Sequence, residues 1–270
     1  MFSVAKYLLG NNMHIHASEI NPEMSDAKAF TAFVNNLPEY FSTHGRTIYD
    51  ERNVIKMFTP DEAGVCVVVK RFRKPNIIQR IVYSFFRKSK AQRAYRNATE
   101  LLRRGVSTPT NMAYLETWQG ALFEYGYYVT AVDAAPPIRD RLITPDVFDH
   151  AMAADFARFV ADLHSKGILH NDLNSTNVLY HDGIDGHSTF SVIDINRMKF
   201  YPHGTLPPMA ERMENLTRFT GRMDLFEYVA TCYASHFKPG EAPAVSGLMA
   251  VKRRHDERWR RRKSFFGKFK

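Results

Sequence analysis

Cysteine is scarce in this chain of 270 residues, which has Cys66 and Cys232 and no others. Two isolated cysteines exclude a disulfide framework and a cysteine-based zinc site, and they suit a reducing compartment such as the cytoplasm. Apolar runs of about 18 residues are also missing, which argues against a membrane-spanning helix. The first ten residues, MFSVAKYLLG, are too short and too weakly apolar for a signal peptide. We therefore expect any membrane contact to be peripheral.

Acidic residues are fewer than basic ones, 28 against 37, so the net charge is +9. Residues 252–270 contain ten Lys or Arg and two acids, which places +8 of that excess in one segment. Four aromatic residues interleave with these charges, a pattern typical of segments that bind anionic membrane surfaces. A solvated chain end explains the pattern equally well. No nucleic-acid-binding motif accompanies the charge, so nucleic acid is not an expected partner.

The segment ILHNDLNSTNVLY, residues 168–180, has the spacing of a kinase catalytic loop. In that interpretation Asp172 orients an attacking hydroxyl and accepts its proton, while Asn177 and Asp194 hold Mg²⁺ on the phosphates of ATP. His170 is expected to brace the loop by hydrogen bonding. The alternative is an ordinary turn between a helix and a strand, because Asp and Asn favour turns. Agreement between the polar spacing and the flanking apolar runs favours the catalytic interpretation.

An upstream apolar run, GVCVVVK, ends at Lys70 and resembles the kinase strand whose lysine contacts the nucleotide phosphates. A lysine that simply extends from a buried strand to solvent is the alternative. The adenine is expected at a hinge over residues 130–134, with Thr130 and Val132 as candidate ATP-binding positions. The strand lysine normally pairs with a glutamate near Ala94, but the only acid in that helical stretch is Glu100, which is therefore a further candidate ATP-binding residue. No G-x-G-x-x-G loop covers the phosphates.

The chain resembles the bacterial lipopolysaccharide kinases of the Kdo/heptose type, over about residues 45–235. The segments that carry this resemblance are RNVIK (52–56), VKRF (69–72), IIQRIVYSFFRKSKAQRAY (77–95), GVSTP (105–109), HNDLNSTNVL (170–179) and DINRMKF (194–200). The resemblance implies a protein-kinase-like fold and ATP-dependent phosphorylation of a sugar hydroxyl. It also implies a lipid A/inner-core glycolipid as acceptor, at the cytoplasmic face of the inner membrane.

Departures from protein-kinase patterns favour a glycan or small-molecule acceptor. Asn171 replaces the arginine that receives an activation-loop phosphate, and few residues separate Arg197 from the next predicted helix. Arg197 and Asn174 are candidates either for contacts with an anionic acceptor or for bracing the loop. Three alternatives remain at this point: a protein Ser/Thr/Tyr kinase, a soluble small-molecule kinase of the same fold, and a non-catalytic ATP-binding module.

The predicted fold is α+β and two-lobed, with a small antiparallel-sheet lobe and a mainly helical lobe, and with MgATP between them. The predicted parts are an extension with one helix near 22–36 (1–44), a nucleotide-binding lobe (45–131), a helical catalytic lobe (132–251) and a basic aromatic tail (252–270). The main predicted elements are strands over 47–58, 64–72, 113–117 and 122–132, a helical stretch over 76–104, a helix over 145–166 and one or two helices over 209–237. Apolar residues at about every fourth position in 77–86 predict a helix that faces either the lobe or a membrane.

Overall fold

The computed structural model describes residues 13–267, apart from the side chains of residues 263 and 265–267. The chain forms two compact units. The first unit runs up to Arg103 and also includes Pro109–Asp133, whereas the second contains Arg104–Thr108 and the chain from Ala134 onward. The first has an antiparallel sheet and the second is mainly helical, so the predicted α+β class is confirmed.

The first unit is built on one six-stranded sheet in which every paired neighbour is antiparallel. Its strands are β1 (Met13–Ile20), β2 (Arg46–Asp50), β3 (Val54–Phe58), β4 (Val67–Arg71), β5 (Asn111–Gln119) and β6 (Leu122–Ala131). They lie in the order β1-β5-β6-β4-β3-β2. The predicted single strand over 47–58 is wrong, because residues 51–53 form a turn that makes it a hairpin.

The N-terminal part of the first unit differs from the predicted one-helix extension. Residues 13–20 form β1, which pairs along β5 from Gln119 to Ala113. In place of one helix near 22–36 there is a 3₁₀ turn, followed by α1 (Lys28–Asn35) and α2 (Leu37–Thr43). Pairing between strands about 100 residues apart leaves no local signal, which is why the sequence did not predict β1.

The remaining helices of the first unit are α3 (Pro60–Ala63), α4 (Ile77–Phe85) and α5 (Lys90–Arg103). The helical stretch predicted over 76–104 forms two helices, because the chain leaves the helix at 86–89. Ser89 Oγ accepts a hydrogen bond from the backbone N–H of Gln92 at 3.1 Å and so gives α5 its own N-terminal cap. Gly105 has a φ of +67°, the left-handed conformation expected after a helix end.

One apolar core holds the sheet to α1 and α2. It contains aromatic side chains that are almost fully buried, and Phe33 contacts Phe58 with ring centroids 5.0 Å apart. The two strands β4 and β6 contribute Val67, Val69 and Val129 to the same core. Burial on this scale fixes β4, and hence Lys70 near its end, within the sheet.

The second unit contains five helices and two short two-stranded sheets. The helices are α6 (Arg139–Leu142), α7 (His150–Ser165), α8 (Met209–Leu216), α9 (Met223–Ser235) and α10 (Val245–Gly267). The strands are β7 (Ile168–Leu169), β8 (Val178–Asp182), β9 (Ser188–Val192) and β10 (Lys199–Phe200), paired as β7 with β10 and β8 with β9. The predicted helix over 145–166 begins only at His150, because the Asp149 side chain accepts from Met152 N and caps α7 there.

The predicted tail at 252–270 does not begin as a separate segment. Residue 252 lies inside α10, where its ammonium is 1% exposed and bonds to Asp256 at 2.6 Å. Further along the helix Arg258 pairs with Glu214 of α8 at 3.0 Å. The first turns of this basic segment therefore pack on the second unit. Across residues 13–267, none of the helices has the length and apolar character needed to cross a membrane.

Candidate active site

The loop between β7 and β8 is held by His170, which is 1% exposed. Its Nε2 donates to the carbonyl of Ile193 at 3.0 Å, and its Nδ1 accepts from the backbone N–H of Asp172 at 3.2 Å. These two bonds require the neutral tautomer with its proton on Nε2. Burial lowers the pKa of His170, although the carboxylates of Asp172 and Asp194 act in the opposite direction. A neutral histidine with both nitrogens in use is suited to bracing.

Asn177 joins the end of the loop to its beginning. Its side-chain amide donates to the backbone carbonyl of Asp172 at 2.9 Å, and its backbone carbonyl accepts from the backbone N–H of Ile193 at 3.0 Å. Asn177 is 9% exposed. Because the N–H₂ group of its side chain is engaged inside the loop, the amide oxygen is the atom with which Asn177 can act on a ligand.

Asp194 follows directly after the same bonded segment. It has φ 53° and ψ 46°, and no other residue but glycine has a positive φ among residues 13–267. A left-handed conformation is uncommon in any residue other than glycine, and the residues that adopt it are concentrated at functional sites. Its Oδ1 accepts from Asn196 Nδ2 at 2.6 Å. The bonds from His170 and Asn177 to Ile193 thus place Asp172, Asn177 and Asp194 in one hydrogen-bonded region.

This region offers oxygen ligands suited to a magnesium ion. Mg²⁺ is usually bound through one or two carboxylates together with substrate phosphates, and it needs no cage of protein ligands. The amide oxygen of Asn177 and the carboxylate of Asp194 fit that pattern. The described part of the chain has no cluster of three or more His, Cys, Asp or Glu residues that could hold a metal. The donor set therefore suits a nucleotide-bound metal better than a structural one.

Asn174 and Arg197, the two predicted acceptor or bracing residues, occupy different surroundings. Asn174 Oδ1 accepts from both the N–H and the hydroxyl of Thr176, at 3.0 and 2.6 Å. These contacts shape the turn between Asp172 and Asn177. Arg197 is exposed at the end of the 3₁₀ turn after Asp194. The contacts of Asn174 are those of a bracing residue, and the exposure of Arg197 suits contact with an anionic acceptor.

A series of buried, hydrogen-bonded side chains that the sequence did not predict supports the loop. The hydroxyl of Tyr233 lies 2.7 Å from His164 Nδ1, and His164 Nε2 lies 3.1 Å from Asn215 Oδ1. Asn215 Nδ2 then donates to the carbonyl of His170 at 2.7 Å. All three side chains are buried, and burial lowers the pKa of His164 to about 4. A neutral His164 with its proton on Nε2 satisfies every bond in this chain.

These support residues come from α7, α8 and α9 and carry no motif. The only signal in the sequence is a polar residue on an otherwise apolar helix face, and such a residue is usually satisfied inside a core. Their role depends on pairing across 45 to 69 residues of sequence, which local patterns do not reveal.

Lys70, Thr130 and Val132 belong to the first unit. Lys70 is half-buried on β4 between its cross-strand partners Ile55 and Tyr128, with Nζ 5.2 Å from the centre of the Phe72 ring. Thr130 pairs with Val68 near the end of β6, and Val132 follows β6 immediately. Both are half-buried. Lys70 is therefore fixed in position by a regular sheet and not by a mobile loop.

Glu100 has a partner within its own helix. Both of its carboxylate oxygens accept from Arg103, at 2.7 Å each, one turn along α5. Its assignment to the ATP site remains a prediction. A second acid of the same unit, Glu116 on β5, is 8% exposed, and burial raises its pKa despite a hydrogen bond with Ser89. No feature of the sequence around Glu116 distinguishes it from other strand residues.

Comparison with known proteins identifies the family and the fold. The model of the lipopolysaccharide kinase (Kdo/WaaP) family matches residues 48–222. A solved structure titled WaaP in complex with acyl carrier protein matches with a TM-score of 0.57 and 16% sequence identity, over 90% of this chain and 99% of that one. A search of curated proteins finds no match. The structural likeness confirms the predicted protein-kinase-like fold.

The family match spans well over half of the chain and includes the whole catalytic loop, Asp194 and Lys70. Members of the family are kinases, that is, phosphotransferases with an alcohol group as acceptor, and a kinase of this kind uses ATP. This chain belongs to the lipopolysaccharide kinase (Kdo/WaaP) family.

Proposed function

We propose that this enzyme transfers the γ-phosphoryl group of ATP to a hydroxyl of Kdo or heptose in the lipid A inner core. The observation that carries the proposal is the hydrogen-bonded region in which His170 and Asn177 both bond to Ile193 and so connect the loop of Asp172 to the segment of Asp194. This arrangement gives one carboxylate for the acceptor and one for the metal, which is the minimum that phosphoryl transfer needs.

In the proposed mechanism Asp172 orients the acceptor hydroxyl and accepts its proton. The new bond forms between that hydroxyl oxygen and the γ-phosphorus, while the bond from phosphorus to the bridging oxygen breaks and ADP leaves with that oxygen. Asn177 and Asp194 would hold Mg²⁺, which when bound neutralises charge on the phosphates. Lys70 binds phosphate oxygens through its ammonium.

His170 and Asn174 position the loop in this mechanism and do not transfer protons. His170 stays neutral because burial lowers its pKa, and both of its nitrogens are already used. Thr130 and Val132 are the hinge residues that would contact the adenine. Arg197 is exposed three residues after Asp194 and would bind an anionic group of the acceptor.

We further propose a cytoplasmic enzyme that acts peripherally at the inner face of the inner membrane, where its glycolipid acceptor lies. The net charge of +9 supports this location, because anionic headgroups attract basic proteins. Protein substrates and soluble small molecules are the competing acceptor classes.

The test is a transfer assay in which purified enzyme and labelled ATP meet four separate acceptors. These are lipid A that carries only Kdo, lipid A with a heptose-containing inner core, a generic peptide, and a soluble amino alcohol such as choline. We expect label on one of the two glycolipids, and mass analysis then identifies the sugar. Labelling of the peptide or the amino alcohol alone would contradict the proposal.

A further inference from the structure

Helix α4 has its apolar side directed away from the protein. Five of the exposed large apolar side chains of the described region lie on it or directly after it: Ile77 (55% exposed), Ile78 (71%), Ile81 (42%), Phe85 (63%) and Phe86 (81%). A helix on the surface of a soluble protein normally turns its apolar side toward the core. An exposed apolar patch on this scale marks a surface that binds something.

The opposite side of α4 fixes the helix to β6 through polar groups. Arg80 Nε donates to the carbonyl of Phe123 at 2.7 Å, and its guanidinium pairs with the buried carboxylate of Glu124 at 2.7 Å. Ser84 Oγ accepts from the backbone N–H of Phe123 at 2.8 Å, and the Tyr83 ring packs on the Phe123 ring. The orientation of α4 is therefore set by specific bonds, and its apolar side is held outward.

Basic residues dominate the chain around this apolar side, and the nearby carboxylate of Glu124 is buried and already paired with Arg80 and Lys74. Residues 64–99 contain ten Lys or Arg and no Asp or Glu. Arg87 and Lys88 are exposed just after the helix. At its other end a polar cavity of about 580 Å³ is lined by Arg52, Arg73, Lys74 and Lys90. A second copy of this face would be repelled by the same charge, whereas a surface of lipid phosphates would be attracted.

We propose that α4 and its basic border are the surface with which the enzyme lies on an anionic phospholipid membrane. The apolar side enters the boundary between headgroups and acyl chains, as amphipathic interfacial helices do. Arg52 and Arg73, which line the cavity, bind headgroup phosphates, for which arginine is a usual protein ligand. This inference deepens the proposed location and relies on the proposed function only for the statement that the acceptor is a membrane lipid.

The basic segment of α10 is a weaker candidate for the same role. Lys252 is buried and paired with Asp256, and Arg258 is paired with Glu214, so part of its charge is already used within the second unit. By contrast, the large side chains on α4 are exposed together on one side of a short, well-anchored helix. If α4 is the membrane surface, substitutions on α4 should weaken membrane binding. If α10 is the membrane surface, changes in α10 should weaken it.

The experiment measures co-sedimentation of the full chain with vesicles of phosphatidylglycerol and phosphatidylcholine, and with phosphatidylcholine alone. The variant is Ile78→Ser with Phe86→Ser, since both side chains are exposed and their loss leaves the core intact. The matched control is Val147→Ser with Ile184→Ser, which are 78% and fully exposed elsewhere. We expect the α4 variant to bind anionic vesicles at least about tenfold more weakly and the control to bind like wild type.

Charge is tested with Arg87→Gln plus Lys88→Gln, against Arg46→Gln plus Lys238→Gln as a control of equal charge change. Weaker binding by the first pair only, and loss of wild-type binding in pure phosphatidylcholine, would support an anionic surface. Wild-type protein that does not bind anionic vesicles would mean that α4 serves a protein partner, which overturns the proposal. Unchanged binding by the α4 variant, together with loss of binding on truncation at residue 252, would overturn it in favour of α10.

Activity on two acceptors separates this inference from the proposed function. The α4 variant should phosphorylate a core oligosaccharide without acyl chains at the wild-type rate, and the same glycolipid in anionic vesicles several-fold more slowly. Equal losses on both acceptors would contradict a docking role. Absence of wild-type transfer to either acceptor would refute the proposed function, while the sedimentation result would still decide the membrane surface.

Discussion

The loop between β7 and β8 is held by a few hydrogen bonds from the side chains of His170 and Asn177. His170 reaches both Ile193 and the backbone of Asp172, and Asn177 closes the loop by donating to the carbonyl of Asp172. The sequence pointed to these residues through their spacing within the segment 168–180, which is that of a kinase catalytic loop. It could not predict Asn215, which reaches the same loop from a helix 45 residues away.

Lys70 offers a test at the level of one residue. We expect Lys70→Met to lower the rate of ATP use by at least about tenfold, because the change removes the ammonium and keeps an apolar stem of similar length. The thermal midpoint should change little, since β4 is held by the core residues Val67 and Val69. The measurements are phosphoryl transfer at saturating acceptor and thermal unfolding of both proteins.

A matched variant makes this test specific. Lys56→Met on the neighbouring β3 removes an ammonium that bonds to the carbonyl of His44, and it should retain activity. If Lys70→Met loses stability and activity in parallel, or if both variants are equally inactive, Lys70 is a structural residue.

The predicted secondary elements differ from the observed ones where long-range or capping interactions intervene. The sequence predicted strands β4, β5 and β6 because each is a clear apolar or β-branched run. It missed the break before α5, where the Ser89 cap interrupts a helical pattern, and it missed β1, whose partner β5 lies far along the chain. The C-terminal end of α7 was predicted correctly, because Gly167 adopts a φ of +73° there.

His164 of α7, which bonds to α8 and α9, should make the free energy of unfolding depend on pH. The pKa of His164 is about 4 in the folded protein and about 6.5 in an unfolded chain. Between these values the unfolded state binds a proton that the folded state does not, so stability falls as pH drops from about 6.5 toward 4. This group alone contributes a loss on the order of 3 kcal/mol over that range.

Denaturant unfolding at pH 7 and pH 5 measures this effect. We expect His164→Gln to be less stable than wild type at pH 7, with a smaller drop between the two pH values. His236→Gln, an exposed site at the end of α9, should keep the wild-type pH dependence. An unchanged drop in His164→Gln would contradict the neutral, hydrogen-bonded state of His164.

For the whole molecule, the catalytic assignment and the family assignment rest on different observations. The family match and the shared fold make the chain a lipopolysaccharide kinase. The proposal that Asp172 orients the acceptor hydroxyl relies on the spacing and the hydrogen bonds of the loop between β7 and β8. The basic residues are concentrated in two segments, since residues 64–99 and 252–270 together hold twenty of the 37. The sequence predicted an apolar helix side over 77–86, and the structure showed that this side is exposed.

The most direct test of the central claim compares wild type, Asp172→Ala and Asp140→Ala in transfer of labelled phosphate from ATP to lipid A-core glycolipid. Asp140 is an exposed acid of the second unit and serves as the control. The account predicts that wild type and Asp140→Ala label the glycolipid, while Asp172→Ala loses about 10²–10⁴ in rate and still binds ATP. Asp172→Ala within about tenfold of wild type, or a wild-type enzyme that leaves the glycolipid unlabelled, would contradict it.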